Sequence, residues 1–323
     1  MAARIKRSST GIASISQRVE SATRLTDAVR SATPPFPRSA KIELVARCDF
    51  DCFFCASSKH PRAAADMSQE SFQRIALRLR RLGVAELGLF YLGESFLCDW
   101  LPDAVRYAKE VCGYPYVFLT TNGYTATPKR VRECMESGLD SLKFAFNWCG
   151  PDQFEAVTRR PQEHYLTVLA NLRAARTARD EVEQANGHRC ALYASSLVYD
   201  ARQPGRMAGA LAGIEPLVDE HYWLPLLGHR GLPGEGGCTA AVPVKALPCS
   251  PLFTEAHVTA DGRLSACPLD ASPRFQVGDL EHDTLTLTHA WRSPAFQALR
   301  EAHLKGDVRG TVCSKCIAYG ASE

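Results

Sequence analysis

Six short apolar runs at regular intervals restrict this chain more than any other feature. They are KIELVA (41–46), ELGLFYL (86–92), YVFLTT (116–121), SLKFAF (141–146), CALYASSLV (190–198) and HYWLPLL (221–227). Segments with helical apolar spacing lie between most of them, at 72–82, 101–111 and 165–176. Strands that alternate with helices predict an α/β domain with a parallel sheet built from βαβ units. Six runs over about 187 residues give roughly 31 residues per unit, the usual size of that motif.

The flanks differ from this middle. Residues 1–40 read as a peripheral arm: Ile12, Ile15, Val19, Ala22, Leu25 and Val29 recur at helical spacing before the proline-rich stretch 33–37. From residue 229 onward glycine, proline and short β-like pieces dominate, with a hairpin turn at Asp261-Gly262 and a helix-like segment at 293–303. The expected division is therefore an arm (1–40), an α/β domain (41–228) and a small C-terminal domain (229–323).

Composition excludes several classes. The net charge of +3 is small for 323 residues and the basic residues are interspersed with acids, which argues against nucleic acid as a partner. No apolar run reaches the roughly 18 residues of a membrane span, and the start lacks the apolar core of a secretory signal. A cytoplasmic location is expected, with the Arg/Ser-rich start leaving a mitochondrial transit peptide as the lesser alternative. In a reducing compartment, clustered cysteines serve as metal ligands or reactive thiols more often than as disulfides.

Thirteen cysteines are present, and their spacing is informative. Cys48, Cys52 and Cys55 fall within CDFDCFFC, directly after the first apolar run. Zinc sites usually close four ligands in a tetrahedron, whereas an iron–sulfur cubane held by three thiolates leaves one iron open. Phe50, Phe53 and Phe54 would keep such a cluster dry. Polar residues follow the later runs: Gly93-Glu94-Ser95, Asn122-Gly123, Asn147, and Ser195 within the fifth. In barrel-like α/β folds the C-terminal strand ends build the active site, so these residues are expected to face one cavity.

CxxxCxxC after the first strand of a six-fold βα domain resembles the radical S-adenosylmethionine (SAM) enzymes, over about residues 41–323. The resemblance implies a partial (β/α)6 barrel whose cluster, a [4Fe–4S] centre on Cys48, Cys52 and Cys55, binds SAM through its open iron. An electron from that cluster cleaves SAM to a 5′-deoxyadenosyl radical, which takes a hydrogen atom from substrate. Leu92-Gly93-Glu94-Ser95 resembles the family's GGE segment, with leucine in place of the first glycine. Thr120-Thr121-Asn122-Gly123 is similar to its TNG segment. Asn147-Trp148-Cys149-Gly150-Pro151-Asp152 stands where many relatives have SLDGP, with Cys149 replacing the aspartate. Gly93, Glu94, Ser95, Asn122, Asn147 and Ser195 are thereby implied as SAM contacts.

Cys249, Cys267, Cys313 and Cys316 form a second set, with a hairpin-like segment between the first two and a helix before the CxxC. Their spacing alone also suits a zinc ribbon. Their order resembles the SPASM or "twitch" domain, a β-hairpin plus helix, in which four cysteines close an auxiliary [4Fe–4S] cluster. Of the remaining cysteines, most read as core fillers. Cys98 and Cys149 follow strand ends and are candidate hydrogen-atom donors.

The layout is similar to that of the 2-deoxy-scyllo-inosamine dehydrogenases, which implies oxidation of a small-molecule alcohol with the auxiliary cluster as electron acceptor. Redox-neutral epimerisation with a cysteine donor, and maturation of a peptide substrate, are the enzymatic alternatives. A plain iron–sulfur electron carrier is the non-enzymatic one. A flavodoxin or ferredoxin is the expected electron donor.

Overall fold

The computed structural model describes residues 14–55, 57, 66–198, 201–225, 247–269, 276–278, 280 and 287–314. Cys238 and Cys316 lie outside the described residues. Six strands form where the apolar runs predict them: β1 (Ser39–Ile42), β2 (Glu86–Gly88), β3 (Tyr116–Thr121), β4 (Ser141–Ala145), β5 (Ala191–Val198) and β6 (Glu220–Pro225). Three more follow: β7 (Glu255–Val258), β8 (Leu264–Ser265) and β9 (Gln276–Val277). The sheet order is β6-β5-β4-β3-β2-β1-β7-β8-β9, parallel from β6 to β7, with β8 and β9 antiparallel. β6 and β9 are the edges, so the sheet does not close.

The crossover helices are α2 (Gln69–Arg81), α3 (Leu101–Arg106), α4 (Pro128–Glu136), α5 (Pro151–Thr158), α6 (Glu163–Asn186) and α7 (Gln203–Ile214), and an N-terminal α1 spans Ile15–Thr23. α2 shows why they form: Ser68 caps its first turn, and Phe72, Ile75, Ala76 and Leu79 recur at i, i+3, i+4 and i+7 on one buried stripe. Those stripes meet one face of the sheet, which carries Leu87, Val117, Leu119, Leu142, Phe144 and Leu192 in the same continuous core. At Gly123 a β-carbon would touch both Phe144 and Val168 of α6 at 3.0 Å, which shows how closely helix and sheet approach there.

The opposite face is of another character. Register pairs Lys41 with Gly88 and His257, Gly88 with Phe118, and Thr120 with Lys143, Lys143 with Tyr193 and Tyr193 with Glu220. Partners across a ladder share a face, so charged and aromatic side chains line the side turned away from α2–α6. α1 lies across its N-terminal mouth. The backbone amide of Ile15 and the hydroxyl of Ser16 donate to Glu220 at 2.9 Å, and Arg18 bridges Glu86 at 2.7 Å with its guanidinium over the Tyr116 ring.

Three sequence expectations are shifted. β1 and β2 stop four residues before their apolar runs end, because Glu43, 1% exposed, accepts the amides of Leu92 and Gly93 that a longer ladder would have used. The arm helix ends at Thr23, and the chain from Ala32 to Phe36 instead lies on the C-terminal helices α8 (Leu287–Trp291) and α9 (Pro294–Lys305). There the Trp291 indole donates to the carbonyls of Pro34 and Pro35 at 3.2 Å, and Arg300 to that of Ala32 at 3.3 Å. Finally, the C-terminal hairpin is an extension of the main sheet, since β7 pairs along all of β1. Its turn falls at Asp261-Gly262 as expected, with Gly262 at φ +74°.

Candidate active site

The CDFDCFFC loop leaves β1 and is pinned at its middle: Asp51 and Phe53 donate backbone amides to the carbonyls of Thr158 and Val157 at 3.0 Å. Phe50 packs against Tyr124, Trp148 and Phe154 with ring centroids 5.4–6.2 Å apart, which anchors the loop on α5 and the β4 end. Cys48 is exposed at the rim, while Cys52 and Cys55 are half-buried. Even so, protein atoms crowd the Cys48 thiol enough that desolvation, then the charge of Glu94, pushes its pKa far up. Burial and the neighbouring Cys55 do the same to Cys52. Thiols in such surroundings ionise only against a cation, and a cluster iron supplies one. The donor set therefore fits a three-thiolate cluster. Among the described residues no three Cys, His, Asp or Glu side chains already form a closed metal-binding group.

Glu94, in the loop after β2, is the hub of the strand-end polar residues. Its carboxylate accepts from the Thr121 hydroxyl and the Asn122 amide at 2.8 Å and from the Phe96 amide at 3.1 Å. Burial raises its pKa from 4.5 to about 7 against those three donors. Asn122 in turn points its side-chain amide at Asp49 Oδ1, 2.6 Å away, and at Cys48 Sγ, 3.8 Å away. The loops after β1, β2 and β3 are thus joined by one chain of hydrogen bonds. Asp49 Oδ2 is buried and, among the described residues, has no hydrogen-bond partner, an acceptor left over for a bound group.

Gly93 is forced by packing. A β-carbon there would sit 2.0 Å from the Val45 carbonyl oxygen and 2.9 Å from that of Arg47. Asn147, 6% exposed, accepts the Leu197 amide at 3.0 Å and so ties the ends of β4 and β5. Ser195, 4% exposed, lies opposite Tyr222 on the same face of the sheet. Ser95 turns away: its hydroxyl donates to the Leu89 carbonyl at 2.6 Å inside the core. The two donor candidates also part. Cys149 is half-buried at the start of α5 with its amide on Gln153, whereas Cys98 is 2% exposed in the apolar core, where burial raises its pKa to about 12.

In the C-terminal part, Cys249, Cys267 and Cys313 are all half-buried. The Leu269 amide donates to Cys267 Sγ at 3.4 Å, the kind of N–H···S contact that tunes iron–sulfur centres. His303 Nδ1 accepts the Cys249 amide at 3.2 Å. Tyr91, just past β2, donates its hydroxyl to the Cys267 carbonyl and packs its ring, tilted, 5.5 Å from that of His257. Sequence reasoning missed Glu43, Asp49 and Tyr91. Glu43 and Tyr91 had a signal, a polar group flanked by apolar residues within a strand run, and Asp49 stood within the cysteine loop itself.

The Radical SAM superfamily profile matches residues 42–182, and that of the iron–sulfur cluster-binding SPASM domain matches residues 249–317. The chain carries a radical SAM domain followed by an SPASM domain. Its cofactors are accordingly SAM and two [4Fe–4S] clusters. Among curated relatives, a GTP 3′,8-cyclase of Chlorobaculum tepidum is 25% identical over 256 residues, spanning 70% of this chain and 77% of that protein. A GTP 3′,8-cyclase of Mycobacterium ulcerans is 31% identical over 150 residues but covers only 41% of its own length. Among solved structures, BtrN in complex with AdoMet and 2-DOIA superposes with a TM-score of 0.52 at 16% identity, covering 83% of this chain and 87% of that one. The protein anSMEcpe with bound AdoMet and Cp18Cys peptide gives 0.59 at 10% identity, covering 87% of each chain. No helix among the described residues is long and apolar enough to cross a membrane.

Proposed function

We propose that this protein is a radical SAM dehydrogenase that oxidises an alcohol carbon of a small molecule, with the SPASM cluster as electron acceptor. When bound, the open cluster supplies the electron that cleaves SAM to a hydrogen-abstracting 5′-deoxyadenosyl radical, and the closed one accepts the second electron of the oxidation. Cys48, Cys52 and Cys55 would hold the first cluster, and Cys249, Cys267, Cys313 and Cys316 the second. Glu94 fixes the backbone of Asn122 and, through it, the side chain that meets Asp49 and Cys48. Gly93, Glu94 and Asp49 then present main-chain and carboxylate acceptors to the amino group of SAM, while Asn147 and Ser195 lie at the strand ends suited to its ribose.

The observation that carries the dehydrogenase reading is the Tyr91–Cys267 hydrogen bond. It links a candidate ligand of the auxiliary cluster to the residue two positions before the Gly93-Glu94 turn, so an electron leaving substrate has a short packed route. The similarity in fold to BtrN, solved with AdoMet and 2-DOIA, supports a small polyol-like substrate. The test is the product formed by reduced, reconstituted enzyme: loss of two hydrogens with consumption of SAM is expected. An isomer of the substrate, of unchanged mass in H₂O and one solvent deuterium heavier in D₂O, would instead mean epimerisation with a cysteine donor. Cys149, half-buried just before α5, is the thiol proposed for that role.

A second reading follows from the sequence similarity to GTP 3′,8-cyclases over 70% of the chain. It predicts that GTP stimulates 5′-deoxyadenosine formation, whereas the dehydrogenase reading predicts that it does not. Flavodoxin or ferredoxin is the proposed electron donor in either case.

A further inference from the structure

Among the described residues, the face of the sheet turned away from the helices carries one cation without a counter-charge. Lys41 of β1 is neutralised by Glu255 of β7, 2.7 Å away. His257, wholly buried beside that pair, shares the same carboxylate at 3.0 Å, and burial keeps its pKa low, so it adds no charge near neutrality. At the mouth, Glu86 is paired with Arg18, and Glu220 accepts the first amide of α1 and the Ser16 hydroxyl. Tyr116 and Tyr193 are phenols with raised pKa values and stay neutral. That leaves Lys143 in the middle of β4. Among the described residues it has no carboxylate partner: its amine meets the Tyr222 ring at 6.0 Å and the repulsive field of Lys41.

The register shows where that amine points. Lys143 is level with Tyr193 and Glu220, yet its nitrogen lies by Tyr222, which is level with Ser195, two residues nearer the cluster end. Tyr222 stands directly opposite Ser195 across the β5–β6 ladder. The cation therefore reaches up the inner face toward the strand-end residues. A desolvated charge without a partner is costly. A ligand anion seated against it would recover that cost.

We propose that Lys143 is the anchor for an anionic group, a carboxylate or phosphate, of the substrate, which reacts between it and the ends of β4 and β5. This rests on the dehydrogenase reading only in taking the inner face as the reaction chamber. It narrows the substrate from any small alcohol to one bearing a negative charge. Burial and Lys41 lower the Lys143 pKa to about 8. The anchor is thus charged at neutral pH and is lost as the pH rises through that value.

Inorganic phosphate is the probe, titrated calorimetrically into reconstituted, SAM-loaded enzyme at about pH 7 and about pH 9.5, on either side of the lysine transition. The wild type is expected to bind phosphate and to lose at least about tenfold in affinity at the higher pH. Lys143→Met should lose at least about tenfold at pH 7 with its iron content unchanged, and Lys143→Arg should bind at both pH values because its guanidinium stays charged. Lys129→Met, a change at an exposed helix position, should bind as the wild type does. Phosphate binding by Lys143→Met equal to wild type, no binding by the wild type, or binding that ignores pH would each overturn the proposal. SAM cleavage by the wild type is scored separately: its failure would sink the enzyme reading and leave the anion result standing.

Discussion

At the scale of single residues, the site depends on backbone contacts that one side chain can ruin. Gly93 is the sharpest case, since a methyl group would overlap the Val45 carbonyl at 2.0 Å. Gly93→Ala must push the turn away from β1, at a cost of about 1–3 kcal/mol for overpacking. It is expected to weaken SAM binding more than tenfold, measured by equilibrium dialysis against wild type. Glu94 gives a second test. Glu94→Ala leaves the Thr121 hydroxyl and the Asn122 and Phe96 amides without their acceptor. Each buried donor left unpaired costs about 1–3 kcal/mol. The variant should therefore lose several kcal/mol in urea unfolding as well as SAM cleavage, while Glu94→Gln should keep most of the fold and lose mainly cleavage.

Among elements, the sequence was legible where a strand or helix is decided by its own apolar pattern and opaque where a side chain ends it. β3 matches its run to the residue, because nothing interrupts YVFLTT. β1 and β2 fall short because Glu43, an acid inside an apolar run, takes over the amides of the next loop. The pairing of β7 with β1 was not readable, since nothing local in EAHV names its partner 214 residues earlier in contacts such as Lys41–Glu255. The site was legible as a set of strand-end positions. Its wiring, through Glu43, Asp49 and Tyr91, was not, because hydrogen bonds between loops leave no spacing pattern. The arm follows the same rule: its prolines were visible, but their use as acceptors for Trp291 was not. Trp291, 1% exposed, packs on Phe36, Phe296 and Arg300. Trp291→Ala should cost about 3–5 kcal/mol and release residues 32–36, seen as faster amide exchange there.

For the whole molecule, the buried charges set the acid limit. Attraction to Lys41 and the His257 hydrogen bond hold Glu255 well below the usual carboxylate range despite its burial. His257 is depressed in the same network by desolvation. Both groups bind protons more readily in the unfolded chain, so stability is present above their unfolded values and is lost as pH falls. The loss begins below about pH 6.5 with histidine and continues below about pH 4.3 with glutamate. Unfolding midpoints in urea should fall from pH 7 to pH 5, and His257→Gln should flatten that first step.

We propose that one loop holds an open cluster while the C-terminal part of the chain carries a closed one. Iron content per chain after anaerobic reconstitution tests it most directly, comparing wild type with the Cys48→Ala, Cys52→Ala, Cys55→Ala triple variant. The account predicts about eight irons in the wild type and about four in the variant, from two four-iron clusters. Four irons and one zinc in the wild type, with no iron left in the variant, would contradict it.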